Sequence, residues 1–191
     1  MRQTDYVILG LLGERPMSGY EIKKVVDIRF GFFWNESFGQ IFPALKRLSE
    51  EGLIAEADAE EKGGHSRKLY RATPNGVAAL QSWLAQPVEK ETYRLEILLK
   101  LYFSTYADPD VMLGHLSAFE ESHLRQLEIL NLFQKELEGI LDLDENHREI
   151  LRVIDCGQKV NRAYLDWSRE TTAYLEKKKG SLASPARAQT E

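Results

Sequence analysis

The residues with the clearest chemical potential in this 191-residue chain are cations set beside glycines in one short region. Lys46 and Arg47 lie in residues 39–54, GQIFPALKRLSEEGLI, and Lys62, His65, Ser66, Arg67 and Lys68 follow around Gly63 and Gly64. Cations of this kind neutralise phosphates, while polar side chains beside them can meet base edges. Ser37, Gln40, Ala44, Lys46 and Arg47 are expected on one face of a helix, with Pro43 among them, and Tyr20 joins the candidate contacts. Gln can pair bidentately with adenine and Arg with guanine. Gly63 and Gly64 permit the positive φ of a tight tip and let backbone approach a phosphate. Each set alone also fits an ordinary solvated surface. Asp58, Glu60 and Glu61 pull the hairpin toward that plainer reading.

Their order along the chain favours nucleic acid. Thr4 is expected to cap a helix over residues 5–14, which Arg15-Pro16 ends. Ser18 and Glu21 form a capping box that opens a second helix to about Arg29. Phe32-Phe33-Trp34 reads as a small strand that pairs with the hairpin. Ser37 and Gln40 repeat the capping pattern and open a third helix to Glu51, whose apolar stripe is Phe38, Ile41, Phe42, Leu45 and Leu48. Pro43 removes a backbone donor there, so a bend or a late start is expected. Gly52 is the expected helix stop. Residues 53–59 and 66–72 read as strands around Lys62-Gly63-Gly64-His65, and Thr73-Pro74 starts a fourth helix to Ala85. Helix, strand, turn and basic strand make a winged helix-turn-helix, which presents one helix and one hairpin to DNA.

Gln86-Pro87 marks the expected domain boundary, and beyond it the pattern is helical over residues 91–106, 108–141 and 146–178. Asn146 and Glu149 give another capping box. Ile150, Val153, Gly157, Val160, Tyr164, Trp167, Thr171 and Tyr174 alternate by three and four, a coiled-coil-like seam. Three such helices carry more apolar stripe than they bury among themselves, so a partner chain is expected. Lys177-Lys178-Lys179-Gly180 reads as the end of the last helix and residues 180–191 as a disordered tail. The fold class is thus mainly α. A winged helix-turn-helix over 1–86 precedes a long-helix dimerisation and effector domain over 87–179. Helical spacing makes most of the aromatic residues of this second part core, while Tyr102, Tyr106, Tyr164 and Trp167 are candidates to line a pocket for a flat ligand.

Charge and composition exclude several classes. The net charge is -5, against a protein that coats nucleic acid indiscriminately. Residues 1–86 carry eleven Lys/Arg and eleven Asp/Glu, whereas 87–191 carry fourteen and nineteen, so the acid excess lies in the second part. Cys156 is the one cysteine, which precludes an internal disulfide and fits a reducing cytoplasm. The apolar run over residues 6–12 is too short for a signal peptide or membrane span, so neither export nor insertion is expected. His115 and His123 would sit about 12 Å apart along a helix, too far for one Zn²⁺, and no metal or cofactor is expected. No nucleophile elbow, P-loop or dinucleotide fingerprint supports an enzyme.

These residues resemble the PadR family of bacterial transcriptional regulators. The resemblance is carried by Ile8-Leu9-Gly10-Leu11-Leu12, by Pro16-Met17-Ser18-Gly19-Tyr20-Glu21-Ile22, and above all by Gln40-Ile41-Phe42-Pro43-Ala44-Leu45-Lys46-Arg47-Leu48. Lys68-Leu69-Tyr70 and Thr73-Pro74-Asn75-Gly76 continue it, with Phe42 standing where the family commonly has Tyr. The remainder is similar to the Vir-like C-terminal helical domain of longer members, most visibly at Lys100-Leu101-Tyr102-Phe103. The resemblance implies a homodimer on a pseudo-palindromic DNA operator, usually repressing, with small phenolic or other aromatic effectors in some relatives. The competing class is a winged-helix protein-interaction module that does not bind DNA.

Overall fold

Local capping chemistry sets most element boundaries in the computed structural model, which describes residues 1–57, 68–89, 94–140 and 145–183. The chain divides into two units, Met1–Lys90 and Glu91–Glu191. In the first, α1 spans Gln3–Glu14, α2 Gly19–Val25, α3 Phe38–Glu50 and α4 Pro74–Leu84, with strands β1 (Ile54–Ala57) and β2 (Leu69–Ala72) between α3 and α4. Ser18 donates its amide to Glu21 at 2.8 Å, and its hydroxyl oxygen accepts from the Glu21 amide at 3.3 Å, which starts α2. Gln40 Oε1 accepts from both the amide and hydroxyl of Ser37 at 2.8 Å and starts α3. Gly52, at φ 69°, ends the run after α3. There the Leu53 amide reaches back to the Leu48 carbonyl at 2.9 Å and Gly52 to Ser49 at 3.1 Å. Thr73 accepts from the Gly76 amide at 3.2 Å, with Pro74 following as the first residue of α4.

β1 and β2 pair antiparallel, Ile54 opposite Ala72 and Ala57 opposite Leu69. The third participant is Met17, which exchanges amide–carbonyl bonds with Tyr70 at 3.0 and 2.9 Å. Phe32-Phe33-Trp34 is not a strand, contrary to the sequence expectation: α2 continues through a wide π turn over Val26–Phe30 and then loops. Residues 58–67, including the expected hairpin tip, lie outside the described residues. Ile8, Leu9, Leu11 and Leu12 of α1, Ile22 of α2, and Ile41, Ala44, Leu45 and Leu48 of α3 make the core, closed by Ile54 and Met17.

Two carboxylates go inside with that core. Asp5 is fully buried, accepts the Arg2 amide at 2.7 Å, and forms an ion pair with Arg47 of α3. Glu36 is 2% exposed and accepts from Trp34 Nε1 at 2.8 Å and the Thr4 hydroxyl at 3.1 Å. Thr4 therefore does not cap α1. Arg2 occupies that position, and Thr4 instead faces inward, one residue before Asp5. Neighbouring residues of α1 thus grip the turn before α3 and its last turn.

In the second unit α5 spans Glu96–Tyr102, a 3₁₀ turn covers Ser104–Tyr106, and α6 (Pro109–Glu138) and α7 (Glu145–Ala183) form an antiparallel hairpin. Of the helix expected over 91–106, residues 91–93 lie outside the described residues, and the rest is broken after Tyr102. The last helix begins before Asn146, which is no cap, and continues through Gly180, so residues 180–183 are helical rather than tail. Its buried residues are Ile154, Gly157, Gln158, Asn161, Leu165, Ser168 and Leu175, a line mostly one position round from the expected seam, of which Gly157 is buried and Tyr164 and Trp167 pack on Phe119. Val153, Val160 and Tyr174 of the expected seam are 43%, 42% and 62% exposed. Opposite lie Met112, Leu116, Phe119, His123, Leu127 and Leu130, spaced three and four apart. Polar pairs set the register: His123 Nδ1 meets Asn161 Oδ1 at 2.7 Å, and Gln158 Nε2 donates to Gln134 at 2.6 Å and Asn131 at 2.9 Å. Among the described residues no helix is long and apolar enough to cross a membrane.

Two outcomes follow for stability. Asp5→Ala strands the half-buried Arg47 guanidinium and should cost about 3 kcal/mol in urea unfolding. A loss within error would mean the pair does not hold α3. Hydrogen bonds from Ser18, led by its amide, hold the Glu21 carboxyl below the usual glutamate range despite partial desolvation. The advantage of the native chain over Glu21→Gln should therefore be full above that range and vanish as pH falls through the depressed value. Urea midpoints measured across acid pH check this.

Candidate nucleic-acid interface

α3 buries one side and offers the other. Taking Ile41 as the centre of the apolar stripe, 100° per residue brings Ala44, Leu45 and Leu48 within a quarter turn of it. Ala44 is accordingly buried, a correction to its place among the exposed candidates. Phe38 and Phe42 fall at the edge of the stripe and are 44% and 42% exposed, which corrects their assignment to the core. Ser37, Gln40, Pro43 and Lys46 are exposed as expected. Pro43 lies within the helix, which begins at Phe38, so there is no late start.

The polar groups on this face are less free than their types suggest. Gln40 Oε1 is committed to Ser37, which leaves its Nε2 to donate outward and removes the acceptor needed for bidentate pairing with adenine. Arg47 turns to Asp5, so it braces α3 against α1 instead of aiming at a guanine. Lys46 is 79% exposed, 3.9 Å from Glu50, and keeps its charge in solvent. Tyr20, at the start of α2, is 64% exposed and packs edge-on to Phe38 and Phe42, with ring centroids 5.4 and 5.5 Å away. Lys23, ion-paired with Asp27, places its ammonium 5.8 Å from the Phe38 ring centroid. Tyr20, Phe38 and Phe42 form an aromatic cluster at the solvent edge between α2 and α3, and only Tyr20 was among the expected contacts.

Of the expected wing residues, Lys62, His65, Ser66 and Arg67 lie outside the described residues. Lys68 is described and its ammonium sits 2.6 Å from the Glu56 carboxylate on the neighbouring strand. That hydrogen bond and charge raise the Lys68 pKa, so it stays a cation through the neutral range. Both partners are well exposed, and such a pair is weak enough to be exchanged for a phosphate.

The four expected pocket residues are not brought together. Tyr102 and Tyr106 are 81% and 91% exposed on α5 and the 3₁₀ turn. Tyr164 and Trp167 lie on α7, edge-on to Phe119 of α6 at 5.6 and 5.7 Å. An open cavity of about 400 Å³ does exist in this unit, lined chiefly by Leu99, Phe103, Val111 and Met112 with Lys100 and His115, and it contains none of the four. The signal missed was helix phase at Tyr102, since Ile97 and Leu101 are the α5 residues packed on α6, and the break after α5, which puts Tyr106 in the 3₁₀ turn.

The Transcriptional regulator PadR-like family description matches residues 8–82, and Virulence activator alpha C-term matches residues 93–176. Over 105 residues the chain is 38% identical to the negative transcriptional regulator PadR of Bacillus subtilis, a match that spans 54% of this chain and 57% of that protein. A PadR-like transcriptional regulator from Bacillus cereus aligns with TM-score 0.75 and 26% identity over 92% of this chain and 99% of that one. Bacillus subtilis PadR in complex with operator DNA aligns with TM-score 0.72 and 27% identity, over 91% and 99%. The same protein in complex with p-coumaric acid gives 0.67 and 26%, over 92% and 99%. Each unit has its own match, and PadR-family transcriptional regulators are non-enzymatic DNA-binding proteins. The chain belongs to the PadR-like family of transcriptional regulators, with a C-terminal domain of the virulence-activator alpha type.

Proposed function

We propose that this chain is a cytoplasmic, sequence-specific DNA-binding regulator that represses transcription as a homodimer on a pseudo-palindromic operator. The observation that carries the reading is the exposed face of α3. Its first turns are solvent-facing, while Asp5 and Glu36 fix the helix from behind. A helix held in that way enters a major groove without a further ordering cost. Lys46 and Lys68 supply cations for the phosphates on either side, and the Bacillus subtilis relative solved in complex with operator DNA supports DNA as the partner.

Dimerisation is supported by the second unit. Leu124, Ile129 and Leu132 on α6, with Val153 and Val160 on α7, remain 42–58% exposed after the hairpin has formed. So many apolar side chains on two helices are costly to leave in water, and a second copy covers them most simply. Two α3 helices in such a dimer would read half-sites about one turn apart, roughly 34 Å. The second unit is also where we place the response to a small phenolic or other aromatic effector, by analogy with the relative crystallised with p-coumaric acid. An effector releases DNA only if it binds the two conformations of the dimer unequally.

Sequencing the genomic fragments that the full chain retains tests this reading. A common inverted repeat among them is expected; retention with no shared sequence would overturn sequence-specific recognition, and no retention at all would favour the protein-interaction module. On a retained fragment, Glu56→Gln should free Lys68, tighten binding at low salt about two- to fivefold, and steepen the salt dependence by up to about one phosphate contact. Lys68→Ala should do the opposite. Equal affinities for all three proteins across a salt series would remove Lys68 from the interface.

A further inference from the structure

We infer that Phe38 and Phe42 read thymine, by apolar contact with its C5-methyl group in the major groove. The inference rests on the DNA-binding reading and assigns the chemistry by which α3 tells one base from another. Three observations carry it. The first is what the helix lacks: Arg47 is held by Asp5 and the Gln40 acceptor is held by Ser37, so the usual bidentate pairs with guanine and adenine are not available there. The second is what stands exposed in their place. Phe38 and Phe42 are one turn apart on the first half of α3, and their rings lie 6.0 Å apart with an interplanar angle of 23°. Nearly half of each side chain faces solvent.

The third is that the rings are set in position. A Cβ built on Gly19 would lie 2.8 Å from Phe42 Cε1, so the phenyl ring rests directly on the α2 backbone, a seat that only glycine leaves open. Tyr20 packs edge-on against both rings from the side. The Lys23 ammonium, paired with Asp27, lies beside Phe38, and Lys46 on α3 is 79% exposed and 3.9 Å from Glu50, so two cations in exchangeable pairs accompany this apolar spot. That combination suits a polyanion carrying small apolar groups better than an apolar protein or a lipid tail. Along the major groove, thymine is the one standard base that offers such a group.

The test uses a fragment retained by the full chain, synthesised with thymine or with deoxyuridine at the thymine positions of each half-site. Deoxyuridine keeps every hydrogen-bonding group and removes only the methyl. The native protein should bind the deoxyuridine duplex more weakly, by about fourfold for each methyl it covers. In Phe38→Ala or Phe42→Ala, whose side chains are half outside the core, that difference should shrink toward one while binding persists through the phosphate contacts. Equal affinity of the native protein for both duplexes would overturn the inference and leave the regulator reading standing. A methyl dependence that is unchanged in both variants would also overturn it, since the methyl would then be read elsewhere. If no fragment is retained at all, the DNA-binding reading fails and this inference falls with it.

Discussion

Two carboxylates inside the first unit, Asp5 and Glu36, determine where α3 can be. A buried carboxylate is costly unless its oxygens are met by donors, and each of these finds them in a different element. Asp5 draws Arg47 down onto α1, and Glu36 ties the turn before Ser37 to Thr4 and Trp34. Because Thr4 and Asp5 are adjacent, α1 acts as the reference for the start and the end of α3 together. The apolar core of Ile8, Ile22, Ile41 and Leu48 supplies the main driving force for folding, but it would tolerate some rotation of α3 about its axis. The ion pair and the Glu36 contacts do not. Specific polar contacts therefore fix the orientation that decides which residues of α3 face outward.

The outward face follows from that fixing. With Arg47 occupied in bracing and Gln40 in capping, the side chains left at the front of α3 are Phe38, Phe42, Pro43 and Lys46. The exposed ion pairs at its margins, Lys46 with Glu50 and Lys68 with Glu56, are of the weak solvent-screened kind that a phosphate displaces. On the DNA-binding reading proposed above, a rigid apolar centre with exchangeable cations around it would divide the work, the cations providing affinity that depends on salt and the rings providing shape. The helical unit has a comparable division. His123, Gln158 and Asn161 fix the register of α6 against α7, while aliphatic side chains of the same helices stay exposed, where the proposed dimer would cover them.

How much of this the sequence revealed depended on the range of the interaction. Caps are local chemistry over three or four residues, so Ser18 with Glu21, Ser37 with Gln40, Thr73 with Pro74 and the stop at Gly52 were all legible. Arg47 was not, because its partner Asp5 lies 42 residues earlier and nothing in the local pattern announces it. Phe38 and Phe42 were drawn into the apolar stripe because they are apolar, although their phase puts them at its edge. The seam of α7 was misplaced by one position for the reverse reason. Its inner line contains Gln158, Asn161 and Ser168, and a reading that follows apolar residues moves to the neighbouring line of Val153, Val160 and Trp167. In both cases residue type outweighed phase, and the structure followed phase.

The central claim is that the front of α3, braced by α1, is the surface that meets DNA. Backbone amide NMR of the full chain, free and bound to a duplex carrying its retained sequence, measures this most directly. The account predicts the largest chemical-shift changes at residues 18–24 and 37–46, with smaller ones at Lys68 and its strand. Changes concentrated in α6 and α7, with residues 37–46 unmoved, would contradict it.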